Sequence, residues 1–281
     1  MDRRSLLKIL AGTLVGGGAA GITLTTAFKP KIPAAAKPQT LAYTPAESHW
    51  GYTQLNPLTT AEMAYQAYSE GSCMYATFKS IVSQLADQVG EPFASFPLQM
   101  MKYGHGGIGG YGTVCGALNG AAAVIGLLVA DKKNQDALIE SLYRWYEESR
   151  LPLFKPATPL QDFIPPQSVS QSVLCHASNT NWSKTSGYTI KSNQRKERCR
   201  RLTADVASQT VVILNRFSDN RFVTTDIKNE TVRTCMTCHG SESKLANTSG
   251  KMDCGGCHSE SLGHRFFADI HYKVMKEGKK Q

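Results

Sequence analysis

Two short motifs near the carboxyl end of the sequence place cysteine and histidine at a spacing that can bind a metal cofactor. Residues 235–239 read Cys-Met-Thr-Cys-His, and residues 254–258 read Cys-Gly-Gly-Cys-His. Cys-x-x-Cys-His is the attachment signature of c-type haem, whereas two Cys-x-x-Cys pairs fifteen residues apart also fit a zinc ribbon. Two disulfides are a third interpretation, but they leave both histidines without a role.

The amino-terminal segment favours haem because it predicts export from the cytoplasm. Arg3 and Arg4 precede a stretch rich in Gly, Ala, Leu and Val, which is typical of a twin-arginine signal peptide. We therefore predict a signal peptide and linker at residues 1–36, a periplasmic mature protein and no membrane attachment after cleavage. An uncleaved amphipathic anchor is the alternative. Zinc ribbons are mostly intracellular, whereas c-type haem is attached outside the cytoplasm.

Each motif predicts one covalently attached haem, so two c-type haems per chain are expected. The cysteines are the predicted thioether positions, and each adjacent histidine is the predicted proximal iron ligand. The residues are Cys235, Cys238, His239, Cys254, Cys257 and His258.

The sixth iron ligands must come from outside these motifs. His264 and His271 are seven residues apart, so on a helix they would share one face about 10 Å apart along its axis. They are the distal candidates, and His49 is the alternative. Methionine ligation, which would raise the reduction potential, also stays open. His105 and His176 are expected near the remaining cysteines.

Helical patterns dominate the elements that must position these residues. Apolar residues recur at three- and four-residue steps, and a glycine-rich loop at 104–110 leads into a further apolar helix. We therefore expect a mainly α fold, with a helical cysteine-rich domain at 37–218 followed by a small, loop-rich dihaem unit at 219–281. The clearest periodic segments are 57–90, 132–150 and 192–217.

Composition agrees with a globular protein and narrows the choice of partner. The 281 residues are 41% hydrophobic and 19% charged, which is ordinary for a folded domain. The net charge of +9 alone would permit nucleic-acid binding, but the export signal argues against it. Basic segments at 195–201 and 273–280 are instead expected to attract acidic redox proteins.

Four further cysteines lie far apart in the larger, amino-terminal part of the sequence. Buried small side chains, two disulfides or a metal site would each account for them. Two observations favour metal: one cysteine adjoins a helix face that glycines leave bare, and another lies in a run of five arginines and lysines. The iron–sulfur ligand candidates are Cys73, Cys115, Cys175 and Cys199.

The arrangement of these cysteines and their neighbours resembles the split-Soret cytochromes c, which are related to a wider group of redox proteins with scattered cysteines. The likeness covers nearly all of the mature chain, but the cysteine helix reads Cys-Gly-Ala at 115–117 where the wider group has Gly-Cys-Ala. The segments that carry the resemblance are 70–75, 100–104, 115–120, 174–176, 195–199 and both haem motifs.

The resemblance implies a homodimer in which each subunit stacks two bis-histidine haems and receives one ligand across the interface. It also implies a non-haem iron–sulfur centre at the four scattered cysteines. The function expected is electron transfer, not enzymatic catalysis. A haem- or iron-dependent oxyanion reductase is the alternative, although the sequence has no convincing catalytic constellation.

Overall fold

The computed structural model describes residues 37–42, 50–224, 230–243 and 245–255, and within them the fold is mainly α-helical, as predicted. The strands, which form two short antiparallel pairs, are β1 (Gln39–Thr40), β2 (Arg150–Leu151), β3 (Ser168–Val169) and β4 (Val223–Thr224). A 3-10 helix spans Leu98–Gly104. The α-helices are α1 (Pro57–Val89), α2 (Gly116–Leu128), α3 (Lys132–Glu148), α4 (Cys175–Ser186), α5 (Asn193–Ser218) and α6 (Glu230–His239).

Local capping explains where the three long periodic helices begin. The Asn56 side chain accepts hydrogen bonds from two backbone amides of the first turn of α1, and Pro57 occupies a position where proline is favoured. Asp131 caps α3 by accepting from Asn134, and Ser192 caps α5 by accepting from Arg195. These three helices therefore start where their sequence patterns predict.

Helix α1 is not continuous, although its sequence pattern predicts one helix from 57 to 90. Gly71 and Ser72 have non-helical backbone angles, and the φ of Ser72 is 65°. Kinks of this kind occur where glycine and serine adjoin. The kink comes immediately before Cys73, so it sets the direction in which that side chain leaves the helix.

The core lies between α1, α2, α3 and α5. Helix α1 packs along both α5 and α2. Most of the side chains that it adds to the core come from its second half. Burial of these faces is the main driving force for the helix packing. Core side chains with almost no solvent exposure include Phe78, Ile81, Leu85, Leu118, Ile125, Leu138, Leu142 and Leu214.

Two helices and the 3-10 helix were not predicted from the sequence. Helix α4 buries little beyond Ser178 and Trp182, so its sequence lacks a clear apolar stripe. Helix α6 buries only Val232 among its residues. The segment 152–167 is irregular, as predicted from its prolines. No helix in the described residues has both the length and the apolar character needed to cross a membrane.

Asp205 on α5 gives the stability of the fold a predictable pH dependence. Its carboxylate accepts hydrogen bonds from the Leu153 and Phe154 amides, both at 2.8 Å, and thereby holds the irregular segment on the helix. Burial raises the pKa of Asp205 to about 7. The two amide hydrogen bonds lower this pKa, but by less than burial raises it. The unfolded chain loses this proton near its ordinary pKa of about 4, whereas the folded chain retains it until about pH 7. The contribution of Asp205 to stability therefore falls as the pH rises through this window.

We expect Asp205→Asn to remove this pH dependence. Between pH 5 and pH 8 the unsubstituted protein should lose about 2 to 3 kcal/mol more unfolding free energy than the variant. Urea unfolding followed by far-ultraviolet circular dichroism measures the difference. Asp136→Asn, at an exposed position on α3, is the control and should keep the original slope. Parallel pH profiles for the unsubstituted protein and Asp205→Asn would contradict the prediction.

Candidate functional site

Four cysteines that are far apart in the sequence line one small cavity among the helices. The cavity volume is about 30 Å³, about twice what a single water needs. Cys73 and Cys115 are buried, and the other two are partly exposed. Each comes from a different element: Cys73 from α1, Cys115 from the residue before α2, Cys175 from the start of α4, and Cys199 from α5.

Cys73 reaches the cavity because α1 is kinked and α2 approaches it closely. Its Sγ lies 4.0 Å from the Gly104 carbonyl oxygen. On α2, a Cβ at Gly116 would overlap both the Gly104 oxygen and the Cys73 sulfur. The bare glycine face predicted for α2 therefore accommodates Cys73 and the adjoining backbone.

Backbone pairing brings Cys115 next to Cys175. The Cys115 amide donates to the Val173 carbonyl at 2.8 Å, and the Cys175 amide donates to the Thr113 carbonyl at 2.7 Å. These bonds surround an antiparallel bridge between Val114 and Leu174. Two helix starts are thus fixed side by side, with their first cysteines facing one cavity.

Asn179 joins the thiol of α4 to the thiol of α5. Its Nδ2 donates to the Cys175 Sγ at 3.2 Å, while its Oδ1 accepts from the Cys199 Sγ at 3.4 Å. Asn179 lies one turn after Cys175 on α4, so both side chains share a helix face. The sequence prediction missed Asn179, although this four-residue spacing was available as a signal.

A buried positive charge adjoins the thiols. The Arg198 side chain is fully buried, and its Nη1 lies 3.9 Å from the Cys199 Sγ. Its Nε has no hydrogen-bond partner among the described residues. Glu197 bonds Arg200 and Arg201 instead, at 2.7 and 2.8 Å. Because a buried charge requires a counter-charge, Arg198 favours negative charge on the cavity side.

The basic run at 195–201 is therefore not one exposed patch. Arg198 and Arg201 are buried, and Arg195 lines the cavity. The sequence left open whether this run would surround a thiolate or attract a partner at the surface. The structure turns Arg195 and Arg198 towards the cysteines.

Burial keeps the thiols of Cys73, Cys115 and Cys175 protonated until a cation compensates them. Desolvation raises the pKa of Cys73 and of Cys115, and it raises the pKa of Cys175 to about 12. The neighbouring thiols raise the pKa of Cys73 further. Because thiolates are the metal-binding form, loading this site would release protons.

The cavity offers four thiol groups, a donor set that suits soft metal ions. Among the described residues, no three His, Cys, Asp or Glu side chains are placed to hold a single metal ion. The four thiols nevertheless surround one space, and thiolates are the usual ligands of iron–sulfur clusters. Arg198 Nε, which lacks a partner within the part of the chain that the structure describes, also suits an anionic centre.

Two further side chains complete the wall of the cavity. The buried Tyr146 hydroxyl donates to the Ser178 Oγ at 2.8 Å, and Arg198 Nη2 donates to the same oxygen at 2.8 Å. The tyrosine also interacts with the Cys115 thiol. His105 and His176, which were expected near the cysteines, are exposed and do not line the cavity.

The first haem motif forms the end of helix α6. Cys235 and Cys238 are one turn apart, and His239 is the last residue of the helix. Cys235 also interacts with Cys254 of the second motif: burial, and then this neighbour, raises the pKa of Cys235 to about 11. One cysteine from each motif therefore lies beside the other.

Helix α3 holds the segment that leads to the second motif. Glu140 forms an ion pair with Lys251 at 2.7 Å, and Arg144 donates to the Lys251 carbonyl oxygen. Arg144 is itself held by a buried ion pair with Glu147 at 2.7 Å. The same helix carries Tyr146 at the cysteine cavity, so α3 contacts both candidate sites.

The remaining predicted positions lie outside the described residues, and so does the predicted signal segment 1–36. The seven described cysteines are free thiols, so they give the disulfide interpretation no support. The predicted ligands outside the described residues are His49, Cys257, His258, His264 and His271.

Comparison with known proteins gives three concordant similarities. Residues 75–213 match the family model "Putative redox-active protein (C_GCAxxG_C_C)". Over 268 residues, 92% of this chain and 95% of the relative, the sequence is 35% identical to the split-Soret cytochrome c of Desulfovibrio desulfuricans. A solved structure of the split-Soret cytochrome c from strain ATCC 27774, described as having "a novel iron centre", gives a TM-score of 0.70 at 37% identity. It covers 75% of this chain and 90% of its own.

Proposed function

The chain belongs to the split-Soret cytochrome c family, and from that premise we propose that it is an exported dihaem cytochrome that transfers electrons. It carries two covalent c-type haems and an additional iron–sulfur centre. The observation that carries the proposal is the convergence of four distant cysteines on one cavity. The similarity to a split-Soret cytochrome c extends over 92% of the chain and so includes these cysteines. The novel iron centre described for the relative supports the same assignment.

The haem residues are those of the two Cys-x-x-Cys-His motifs. Cys235 and Cys238 bind one porphyrin as thioethers, and Cys254 and Cys257 bind the other. The adjacent histidines bind the irons through their ring nitrogens. When bound, each haem supplies a one-electron iron couple. The protein's part is to hold the ligands, exclude water and set the local charge. The six residues are Cys235, Cys238, His239, Cys254, Cys257 and His258.

The iron–sulfur centre is assigned to the scattered cysteines. Their donor atoms are soft sulfurs, and the nearby backbone of Gly106 and of Ala117 favours the thiolates of Cys73 and Cys115, partly offsetting burial. Hydrogen bonds to sulfur and nearby positive charge are known determinants of cluster potential. Arg198 and Asn179 therefore belong to the electronic environment of this centre. The ligands proposed are Cys73, Cys115, Cys175 and Cys199.

Both haems are proposed to be six-coordinate, with His264 and His271 as distal ligands and His49 as the alternative. The protein acts in the periplasm after twin-arginine export, as a homodimer that exchanges electrons with acidic redox proteins. Export in the folded state suits a protein whose cluster is inserted before export. The overall excess of positive charge, +9, favours acidic partners.

The proposal is tested on protein expressed with c-haem maturation. We expect a pyridine haemochrome assay to give two covalent haems per chain and total iron to exceed two per chain. Two haems with no further iron would show that the protein holds no iron–sulfur cluster. A colourless, zinc-containing protein would overturn it altogether, because the four motif cysteines would then form a zinc ribbon.

Carbon monoxide separates the carrier from the oxyanion reductase. A haem with both axial positions filled has no vacant site, so the reduced protein is expected to keep its spectrum under carbon monoxide. A shifted absorption band would require an open or labile iron position and would favour the reductase.

A further inference from the structure

The end of helix α6 is closed by the loop that follows it. A helix leaves its last carbonyl groups without intrahelical partners, so they must be satisfied by other donors. The Ser243 hydroxyl donates to the Cys238 carbonyl at 2.6 Å, and the Asn247 amide donates to the His239 carbonyl at 3.2 Å. The Thr248 amide donates to the same oxygen at 3.0 Å. The loop is therefore fixed against the haem-motif histidine.

This closure places the Asn247 side chain against the His239 ring. Asn247 Oδ1 lies 3.0 Å from His239 Nδ1. An amide oxygen only accepts hydrogen bonds, so this contact requires the proton to be on Nδ1. The lone pair then lies on Nε2, the nitrogen that can bind iron in this tautomer. One contact thus fixes both the proton and the orientation of the ring.

We propose that Asn247 is the positioning residue for His239 and lowers the reduction potential of the haem attached at residues 235–239. The inference rests on the proposed function, since it requires haem at this motif. The partner of a metal-binding histidine orients the ring and raises its basicity. A more basic ligand stabilises the ferric state more than the ferrous state, because the ferric iron carries the larger positive charge.

The two haems should differ in their response to this residue. Asn247 contacts the histidine of the first motif, so the haem at 254–258 serves as an internal reference. Asn247→Leu keeps similar volume and removes the acceptor. Asn247→Asp keeps the acceptor and makes it stronger. If Asn247 only stabilises the loop, both substitutions should shift the reduction potential of the first haem in the same direction. If it positions the ligand, they should shift that potential in opposite directions.

The experiment is a spectroelectrochemical redox titration of the full-length dihaem protein, with electron paramagnetic resonance of the oxidised state. We expect Asn247→Leu to favour reduction of one haem about tenfold, which is about 59 mV for a one-electron couple. Asn247→Asp should lower the potential of the same haem and change its paramagnetic signal. The control is Thr248→Ala, which keeps the backbone amide on His239 and should leave both potentials unchanged.

Several results would overturn the inference. The inference fails if both Asn247 variants keep the original potentials or shift them with the same sign. It also fails if Thr248→Ala shifts the potentials as the Asn247 variants do. Loss of haem from both variants, with Thr248→Ala fully loaded, would also overturn it, because aspartate retains the acceptor. The proposed function fails separately, if the unsubstituted protein lacks two covalent haems in the pyridine haemochrome assay.

Discussion

Replacement of Cys199 by serine is expected to remove the non-haem iron and leave both covalent haems in place. A serine hydroxyl is a poor substitute for thiolate because it stays protonated near neutral pH and is a harder donor. The Cys199 thiol donates a hydrogen bond to Asn179 Oδ1, and Arg198 Nη1 lies 3.9 Å from its sulfur. The substitution is nearly isosteric, so the cavity keeps its shape while losing one ligand.

Iron and haem must be counted on the same sample. We expect total iron to fall to the haem content, as measured by plasma emission and the pyridine haemochrome assay, with an unchanged far-ultraviolet circular dichroism spectrum. Cys238→Ser is the reciprocal control: it removes a thioether of the first haem and should leave the non-haem iron. If Cys199→Ser keeps its full complement of non-haem iron, the cavity is not the site of the centre.

Gly116→Ala is expected to destabilise the fold strongly although it adds only one methyl group. The added Cβ would overlap the Gly104 carbonyl oxygen and the Cys73 sulfur, so one or both would have to shift. Cys73 leaves α1 just after the kink, and the Gly104 backbone ends the 3-10 helix. We expect the free energy of unfolding to fall by about 3 kcal/mol through overpacking. Non-haem iron should fall with it, because the methyl group displaces Cys73.

Helix α2 offers a matched control for this substitution. Gly126 lies on the same helix, and a Cβ there would meet no atom within 4 Å. Alanine favours helix over glycine, so Gly126→Ala should raise the unfolding free energy by about 1 kcal/mol and leave iron unchanged. Urea unfolding of the two variants makes the comparison. Equal effects at 116 and 126 would show that helix propensity, and not the close approach to Cys73, decides the result.

The sequence alone predicted the features that depend on residues close together in the chain. A haem motif places two thioethers and a ligand within five residues, so the pattern itself specifies the chemistry. The long helices follow from apolar periodicity, and Ser192 indicated where α5 begins. Helix α6 was missed because it buries too little to leave an apolar stripe.

Only the tertiary structure decided how the four scattered cysteines are arranged. Their convergence depends on a kink at 71–72, on backbone pairing around Val114 and Leu174, and on the approach of α2 to α1. The Gly-Ser pair at 71–72 and the bare glycine face of α2 are local signals, but they do not identify the residues that come together, because those residues are distant along the chain. The same reason applies to Arg198: its neighbours in sequence are basic and polar, but helix packing turns its side chain inward to the thiols.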